Sequence, residues 1–528
     1  EHTLEEIKEK VNIADDLTTS EFKQAERMLA ARRALFRTTL GYAHPTKMSL
    51  KVNGRPPNAT LRVRAPEEEE ALNKEVRKQC KAGLIEPARS PYGALPMLIK
   101  KPTKPGEPQQ YRVVLDYRGV NQILEKDVYP LPNLEANLSK LGKANWFTTL
   151  DLLQGFHQVE LADDGSKEIT AFNTPLGQFQ YVRMPMGLAT SPSTFMRLVD
   201  ATLRGLPPGI ALAYVDDVVI PTCGTFEDHM RDVGLVFDRL IEAGFAVRCD
   251  KCHIGMKEVP YLGFMVGAYG QRPMESKTQA ILDIAVEDMR GNPGAAARYA
   301  GMLGFYSKFI PNLHSVIGSF HELKQKTVQA DDIIGGNGKV PSLRFMSSLE
   351  HSKHLLANVT SLMRPDPQKP FTIHTDAASS CGIGAALMQQ VDDDDPESLA
   401  PIAFWSRRLS DEERGYGVRD QECLGLAEAL KVWRHYILNS KIKLMTDHSS
   451  LQWLLSTPHP DGSRVSGWAL QAQNFDCEIH YLPGTQQVVA DCLSRLAKRT
   501  EPAREEGVVG RRLDIADRLE IADTAAVK

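Results

Sequence analysis

Basic charge is not in excess. The 528 residues carry 63 Lys and Arg against 67 Asp and Glu, a net charge of −4. This excludes a chain that coats a polyanion over its whole surface, so a nucleic-acid partner has to be met by local basic patches. Cysteine is scarce too. The 8 residues, scattered from Cys80 to Cys492, give no disulfide framework; a reducing, intracellular setting is expected, and the sequons at Asn58, Asn137 and Asn358 read as idle. No apolar run reaches the roughly 18 residues a membrane helix needs, and the acidic opening with Glu1, Glu5 and Glu6 is unlike a signal peptide. No membrane partner is expected, and no repeat recurs at solenoid periods. What is present is ordinary for folded protein, with 42% apolar and 25% charged residues. At about 150 residues per domain, three or four folding units fit the length.

Charge and turn chemistry divide the chain. Residues 1–60 are charged, weakly periodic and end in Asn53-Gly-Arg-Pro-Pro-Asn58, and read as a leader ordered only in part. A helix pattern runs from Pro66 to Leu84, its first turn rich in the acids Glu67 to Glu70 that the helix dipole favours. Between Pro96 and Ile123, short apolar runs alternate with Pro and Gly turns and predict strands. Ser191-Pro192 predicts a helix start with Ser191 as the cap. Thr225 opens a helix with Met230, Val233, Val236, Phe237, Leu240 and Ile241 on one face and Gly244 at its end. Residues 275–327 read as helical and residues 330–341, with Gly335-Gly-Asn-Gly338, as a linker; a strand-rich unit then runs from Phe371 to near Leu496. The acidic run from Asp392 to Asp395 is expected in a solvated loop.

The first chemical constellation lies at Ala211-Leu-Ala-Tyr-Val-Asp-Asp-Val-Val-Ile220. Two acids between apolar runs too short for helices predict a β-hairpin with Asp216 and Asp217 at its tip. Carboxylates fixed side by side are costly unless a cation shares their charge. Alone, such a pair is most often a solvated turn. Upstream, however, Phe147-Thr-Thr-Leu-Asp151 ends an apolar strand in a third acid, and oxygen ligands of this kind suit Mg²⁺.

Taken in order, several motifs resemble the reverse transcriptase of gypsy-type LTR retrotransposons over about residues 60–325. They are Tyr111-Arg-Val-Val-Leu-Asp-Tyr-Arg118-Gly-Val-Asn121, Leu150-Asp-Leu-Leu-Gln-Gly-Phe156-His-Gln158, Met184-Pro-Met-Gly187-Leu-Ala-Thr-Ser-Pro192, Tyr214-Val-Asp-Asp217 and Tyr261-Leu-Gly263. The resemblance implies a right-hand polymerase of fingers, palm and thumb, with Asp151, Asp216 and Asp217 as catalytic, metal-binding carboxylates. It also implies deoxynucleoside triphosphate contacts from Lys101, Arg112, Phe156, Tyr214 and Gly187. Phe156 would be the plate beneath the incoming sugar. Residues 96–118 hold five basic and two acidic residues, a local excess suited to phosphates. Met186 departs from the Phe or Gln usual in the family, and the Trp usual around residues 342–345 is missing.

The second constellation is spread out. Phe371-Thr-Ile-His-Thr-Asp376 alternates like a strand ending in an acid, and so does Lys441-Ile-Lys-Leu-Met-Thr-Asp447, which precedes an expected Ser449-capped helix. Glu422 borders the core face of a helix, and Val488-Val-Ala-Asp491 starts another. Singly each acid reads as structural. Together Asp376, Glu422, Asp447 and Asp491 resemble the Asp-Glu-Asp-Asp set of ribonuclease H, within motifs of the same retrotransposon family over about residues 365–497. Thr485 stands where cellular ribonucleases H place a His. Cys249-Asp-Lys-Cys252-His253 has haem or half-zinc spacing but no second pair nearby, and is set aside. Gly382-Ile-Gly384 reads as a strand turn, not a dinucleotide loop.

The resemblance thus implies an α+β multidomain chain. Its parts are a charged leader (1–60), fingers and palm (61–265), a helical thumb (266–329), a linker or connection (330–367), an α/β RNase H-like domain with a mixed sheet (368–497) and a loose tail (498–528). It implies RNA-directed DNA synthesis with degradation of the RNA strand, using two Mg²⁺ ions per site, with Mn²⁺ as a substitute. RNA and DNA template-primer, RNA–DNA hybrid and deoxynucleoside triphosphates are the expected partners, a homodimer is left open, and a cytoplasmic retroelement particle or the nucleus is the expected location. The rival is a decayed or domesticated copy that binds nucleic acid without catalysis; the presence of all seven acids argues against it.

Overall fold

The computed structural model describes residues 2–54, 63–101, 109–130, 132–141, 144–268, 270–290, 292–311, 313–317, 320, 334, 341–359, 361–378, 382–392, 395, 398–454 and 463–482. The basic turn at 102–108, most of the linker at 330–341, Asp491, Thr485 and the tail lie outside them.

The palm is a five-stranded sheet in the order Asn12–Ile13, His253–Met256, Trp146–Asp151, Asp217–Thr222, Leu212–Tyr214. Trp146–Asp151 sits at its centre because Trp-Phe-Thr-Thr-Leu is buried on both faces, and the chain reaches solvent only near Asp151. The helix Phe226–Glu242 covers one face through Val233, Val236, Phe237 and Leu240. Thr225 caps it in a reciprocal box with Asp228, and Gly244 follows at φ +77°, as expected. From this helix His229 reaches between Thr148 Oγ1 and Thr222 Oγ1, 2.9 Å from each, tying the two central strands together. Burial first, and then Lys257, pushes its pKa down to about 3, so the bridge is a neutral imidazole.

Several expectations are corrected. Residues 2–54 are no loose leader: Asn12–Ile13 pairs in parallel with the palm strand His253–Met256, and Ile7, Val11, Met28, Leu29, Leu35 and Phe36 enter the palm core. Charged outer faces dilute that apolar pattern in the sequence. The fingers hairpin Leu95–Lys100 with Tyr111–Asp116 is as read, but Arg118–Ile123 is a helix rather than a strand. Ser191 is the first residue of its helix, not the cap; its hydroxyl donates to the Pro185 carbonyl. Ser449 opens a 3₁₀ turn without a side-chain cap. Gly382-Ile-Gly384 lies within the strand Gly382–Gln390. Within the expected connection, Leu343–Ala357 is a helix whose Phe345, Leu349 and Leu356 join the thumb core.

The C-terminal unit is a mixed sheet in the order Leu399–Arg407, Gly382–Gln390, Phe371–Ala378, Ile442–Thr446, Cys477–Tyr481, antiparallel over the first three strands and parallel beyond. The helix Val418–Val432 packs across it through Leu426, Ala429 and Leu430. Ala386, Met388 and Phe404 of this sheet share one core with Phe309, Ile310 and Leu313 of the thumb. The two halves are therefore packed together.

Candidate active sites

The sheet register builds the palm site. Asp217 is paired directly with Asp151, and Tyr214 with Asp217, so Val215-Asp216 forms the two-residue turn of the hairpin. Val215 adopts φ +54°, a left-handed conformation that costs a β-branched residue about 1–3 kcal/mol. Its N–H donates to Met196 Sδ at 3.0 Å, and Leu152 N–H donates to the Asp216 carbonyl at 3.2 Å. The turn is held in a strained shape from both sides. Below it the chain runs through Gln154 at φ +48° to Gly155, where an added Cβ would overlap Asp216 Oδ1 and stand 2.9 Å from Phe195 Cζ. Only glycine allows the turn so close to the carboxylate.

Crowding three acids has an electrostatic price. The Asp216 carboxyl is raised to about 6, by burial first and then by the charges of Asp151 and Asp217, with Lys251 opposing. Asp217 is raised as well, by partial burial and by Asp151. Lys251, in the turn Cys249–Lys251, places Nζ 2.8 Å from Asp151 Oδ2, while Arg248, just before that turn, donates its N–H to the Asp151 carbonyl at 2.9 Å. Asp216 Oδ1 is buried without a hydrogen-bond partner.

These features fit a divalent cation. One acceptor is orphaned, an ammonium stands in as cation on a second carboxylate, and all donors are hard oxygens. Among the described residues no three His, Cys, Asp or Glu side chains gather into a metal cage; Mg²⁺ rarely uses one, since it keeps waters and takes substrate phosphates as ligands.

The other expected contacts fall into two groups. Phe156 is half-buried in the turn Gly155–Gln158, edge-on to Phe195 with centroids 5.3 Å apart, and so stands one residue from the close approach to Asp216. Tyr214 is half-buried on the hairpin. Arg112 is exposed on the fingers, its Nη2 3.8 Å from Met186 Sδ. Gly187, at φ +95°, has its carbonyl bound by Asn121 Nδ2 at 2.9 Å, while Asn121 Oδ1 accepts from Ala189 N–H at 2.8 Å. Lys101 is exposed at the described end of the fingers hairpin, its N–H bonded to the Gln110 carbonyl. Sequence reasoning gave no role to Asn121 or Lys251. Lys251 lay inside the rejected cysteine motif, 100 residues from its partner, where no local spacing announces it.

In the C-terminal unit, Glu422 is 3% exposed and accepts the Ala377 N–H at 2.9 Å, next to Asp376. The Asp376 backbone pairs with Gly384. The strands Phe371–Ala378 and Ile442–Thr446 run parallel with His374 opposite Met445, so Asp376 and Asp447, each two residues on, stand level at one sheet end. Burial pushes the neighbouring His374 down to about 4, keeping it neutral. The Asp376 side chain and Asp491 lie outside the description.

Residues 99–266 match the family described as reverse transcriptase (RNA-dependent DNA polymerase), and residues 366–475 match the RNase H-like domain found in reverse transcriptase. The chain joins a reverse transcriptase domain to an RNase H-like domain. It is 34% identical over 425 residues to the retrovirus-related Pol polyprotein from transposon 297 of Drosophila melanogaster, covering 80% of this chain and 38% of that protein. Against the Pol polyprotein from transposon gypsy of the same organism it is 30% identical over 470 residues, covering 86% and 43%. The chain therefore spans less than half the length of these curated relatives. The foamy viral protease-reverse transcriptase shares the fold: bound to RNA/DNA hybrid it gives a TM-score of 0.73 at 20% identity, over 97% of this chain and 65% of that one. A second structure, with double-stranded DNA, gives 0.74 at 21%, over 91% and 81%. Reverse transcriptase and RNase H domains generally depend on divalent metals.

Proposed function

We propose that this chain copies RNA into DNA and degrades the RNA strand of the resulting hybrid, at two separate carboxylate sites. The observation that carries the reading is the direct pairing of Asp151 with Asp217 beneath a strained turn that presents Asp216. Asp151, Asp216 and Asp217 would hold Mg²⁺, two ions with Mn²⁺ as substitute, as would Asp376, Glu422, Asp447 and Asp491 in the RNase H-like domain. Bound there, the metal supplies Lewis acidity, lowering the pKa of the primer hydroxyl or attacking water and neutralising charge on the leaving group.

The chain's own residues do the rest. The turn fixes the carboxylates before substrate arrives, so little reorganisation is left to the reaction. Arg112 and Lys101, exposed on the fingers hairpin, meet the triphosphate of the incoming deoxynucleotide, with Arg112 offering a bidentate fork. Gly187, pinned by Asn121, gives a loop through which the backbone approaches the nucleotide. Tyr214 braces the hairpin, and Phe156 lies under the sugar. The partners are an RNA or DNA template-primer, deoxynucleoside triphosphates and an RNA–DNA hybrid, within a retroelement particle or the nucleus; a homodimer is compatible with this reading. Primer extension on a homopolymer RNA with Mg²⁺, with Asp217→Asn as control, tests it. Extension by the native chain alone supports the reading, and no extension by a folded native chain contradicts it.

A further inference from the structure

Away from both sites, a partly buried polar cluster joins the two halves, with Glu135 33% exposed at its centre. Glu135, on the helix Leu134–Lys140 against the palm, lies 3.0 Å from Nζ of Lys308 in the thumb turn Ser307–Phe309. Its Oε2 also accepts a 3.0 Å hydrogen bond from the hydroxyl of Tyr436 in the RNase H-like domain, 301 residues further on. Lys308 donates to Gln271 Oε1 at 3.1 Å and stands 4.6 Å from the centre of the Phe264 ring. Only 12% of the Lys308 side chain and 9% of Tyr436 are exposed. Burial drives the Lys308 ammonium below its usual pKa and, helped by Glu135, drives the Tyr436 hydroxyl up.

Each end of this cluster leads to an active site. Two residues beyond Glu135, buried Asn137 donates to the Ala213 carbonyl at 3.2 Å, on the strand that feeds the Asp216 turn. Tyr436 sits just past the end of Val418–Val432, the helix that carries Glu422. Around the cluster the contact is apolar, with Met388 and Phe404 packed in one core with Phe309 and Ile310. Apolar burial is non-directional and accepts small slides. A buried ammonium with set partners accepts one arrangement, because displacement strands a charge.

Building on the bifunctional reading above, we propose that Glu135, Lys308 and Tyr436 are positioning residues that fix the RNase H site relative to the polymerase site. They thereby set the number of base pairs between nucleotide addition and RNA cleavage. On a hybrid of regular rise, a fixed separation in space becomes a fixed count along the strand.

The test stalls the full chain on an end-labelled RNA template by withholding one deoxynucleotide, then maps RNA cuts from the stalled primer end. The native chain should give one tight cluster of cuts. Tyr436→Phe, which removes one hydroxyl and keeps the ring, and Glu135→Gln should spread the cuts over at least about twice as many positions, with the rate of synthesis unchanged. The double variant Glu135→Leu with Lys308→Met should restore apolar packing and melting temperature, yet keep the spread pattern; a merely stabilising cluster would regain the tight one. Cuts as tight in Tyr436→Phe and Glu135→Gln as in the native chain overturn the proposal. Should the native chain neither synthesise nor cleave, the functional reading fails on its own, and the clasp is read from spin labels at Lys78→Cys and Lys443→Cys in a background with Cys80, Cys223, Cys381, Cys477 and Cys492 changed to Ser. A distance distribution that widens with Tyr436→Phe supports it, and equal widths overturn it.

Discussion

In the palm, Asp151 ends one strand, Asp217 begins its neighbour and Asp216 sits in the hairpin turn just before Asp217, so their repulsion is concentrated: Asp216 is raised to about 6 and Asp151 leans on Lys251. In the RNase H-like domain the described acids come from a strand, a helix and a second strand end, and buried Glu422 is anchored by the Ala377 N–H. The palm stores unfavourable charge that a bound cation would relieve, which would couple metal binding to its stability. In the second site the buried Glu422 is held by backbone and packing.

The sharpest way to break this comparison is to silence one site at a time. Asp217→Asn should lower nucleotide incorporation about a thousandfold and leave hydrolysis of a preformed hybrid intact, while Asp376→Asn or Glu422→Gln should do the reverse. Loss of both activities from any one change, in protein with native circular dichroism, would show that the sites are not separate. Next comes Gly155→Ala. Its methyl must displace the Asp216 carboxylate or Phe195, and an ångström-scale shift should cost incorporation about a hundredfold while RNA cleavage is spared. Equal single-turnover rates would mean that the turn yields freely.

Phe156→Val probes the palm's sugar contact. Exclusion of a ribose hydroxyl by the ring predicts at least about a tenfold gain in relative ribonucleotide use, equivalent to about 1.4 kcal/mol. Phe156 also packs edge-on against Phe195. An unchanged ribo- to deoxyribonucleotide ratio with a lowered melting temperature would leave the ring a core element only.

The smallest effect tests the stored charge. With a folded pKa near 6 for Asp216 and an unfolded value of about 3.9, the folded state binds more protons between these values. Stability therefore falls as pH rises through that window, and the penalty is complete above it. Discounted for solvent screening, Asp216→Asn should relieve about 1 kcal/mol at neutral pH without metal, or ~2–4 °C in melting temperature. The gain should vanish below pH ~4 and shrink in Mg²⁺. A variant no more stable than the native chain at neutral pH would deny the strain.

How much was legible in the sequence differs between the same two regions. The Asp151 strand and the Asp216-Asp217 hairpin could be read because short apolar runs bracket each acid, and the strand period fixes what faces what. The fingers hairpin and the Thr225 helix were legible for similar local reasons. Residues 2–54 were not, since Ile13 pairs with Ile254 and Ile7, Val11 and Met28 share one core with it, more than 200 residues away. Lys251 and Asn121 escaped notice because their partners, Asp151 and the Gly187 loop, come together only in three dimensions. The docking of the RNase H-like domain was hidden for the same reason. Gly335-Gly-Asn-Gly338 reads as a spacer, and nothing local tells that Phe404 shares a core with Phe309.

One measurement tests the central claim of two activities in one chain most directly. A primer annealed to RNA is extended with Mg²⁺ while label on the DNA and label on the RNA are followed in the same reaction, for the native chain, Asp217→Asn and Glu422→Gln. The native chain should lengthen the DNA and shorten the RNA. On a preformed hybrid Asp217→Asn should only shorten RNA, and Glu422→Gln should only lengthen DNA. A folded native chain that binds the hybrid and changes neither strand would contradict the account.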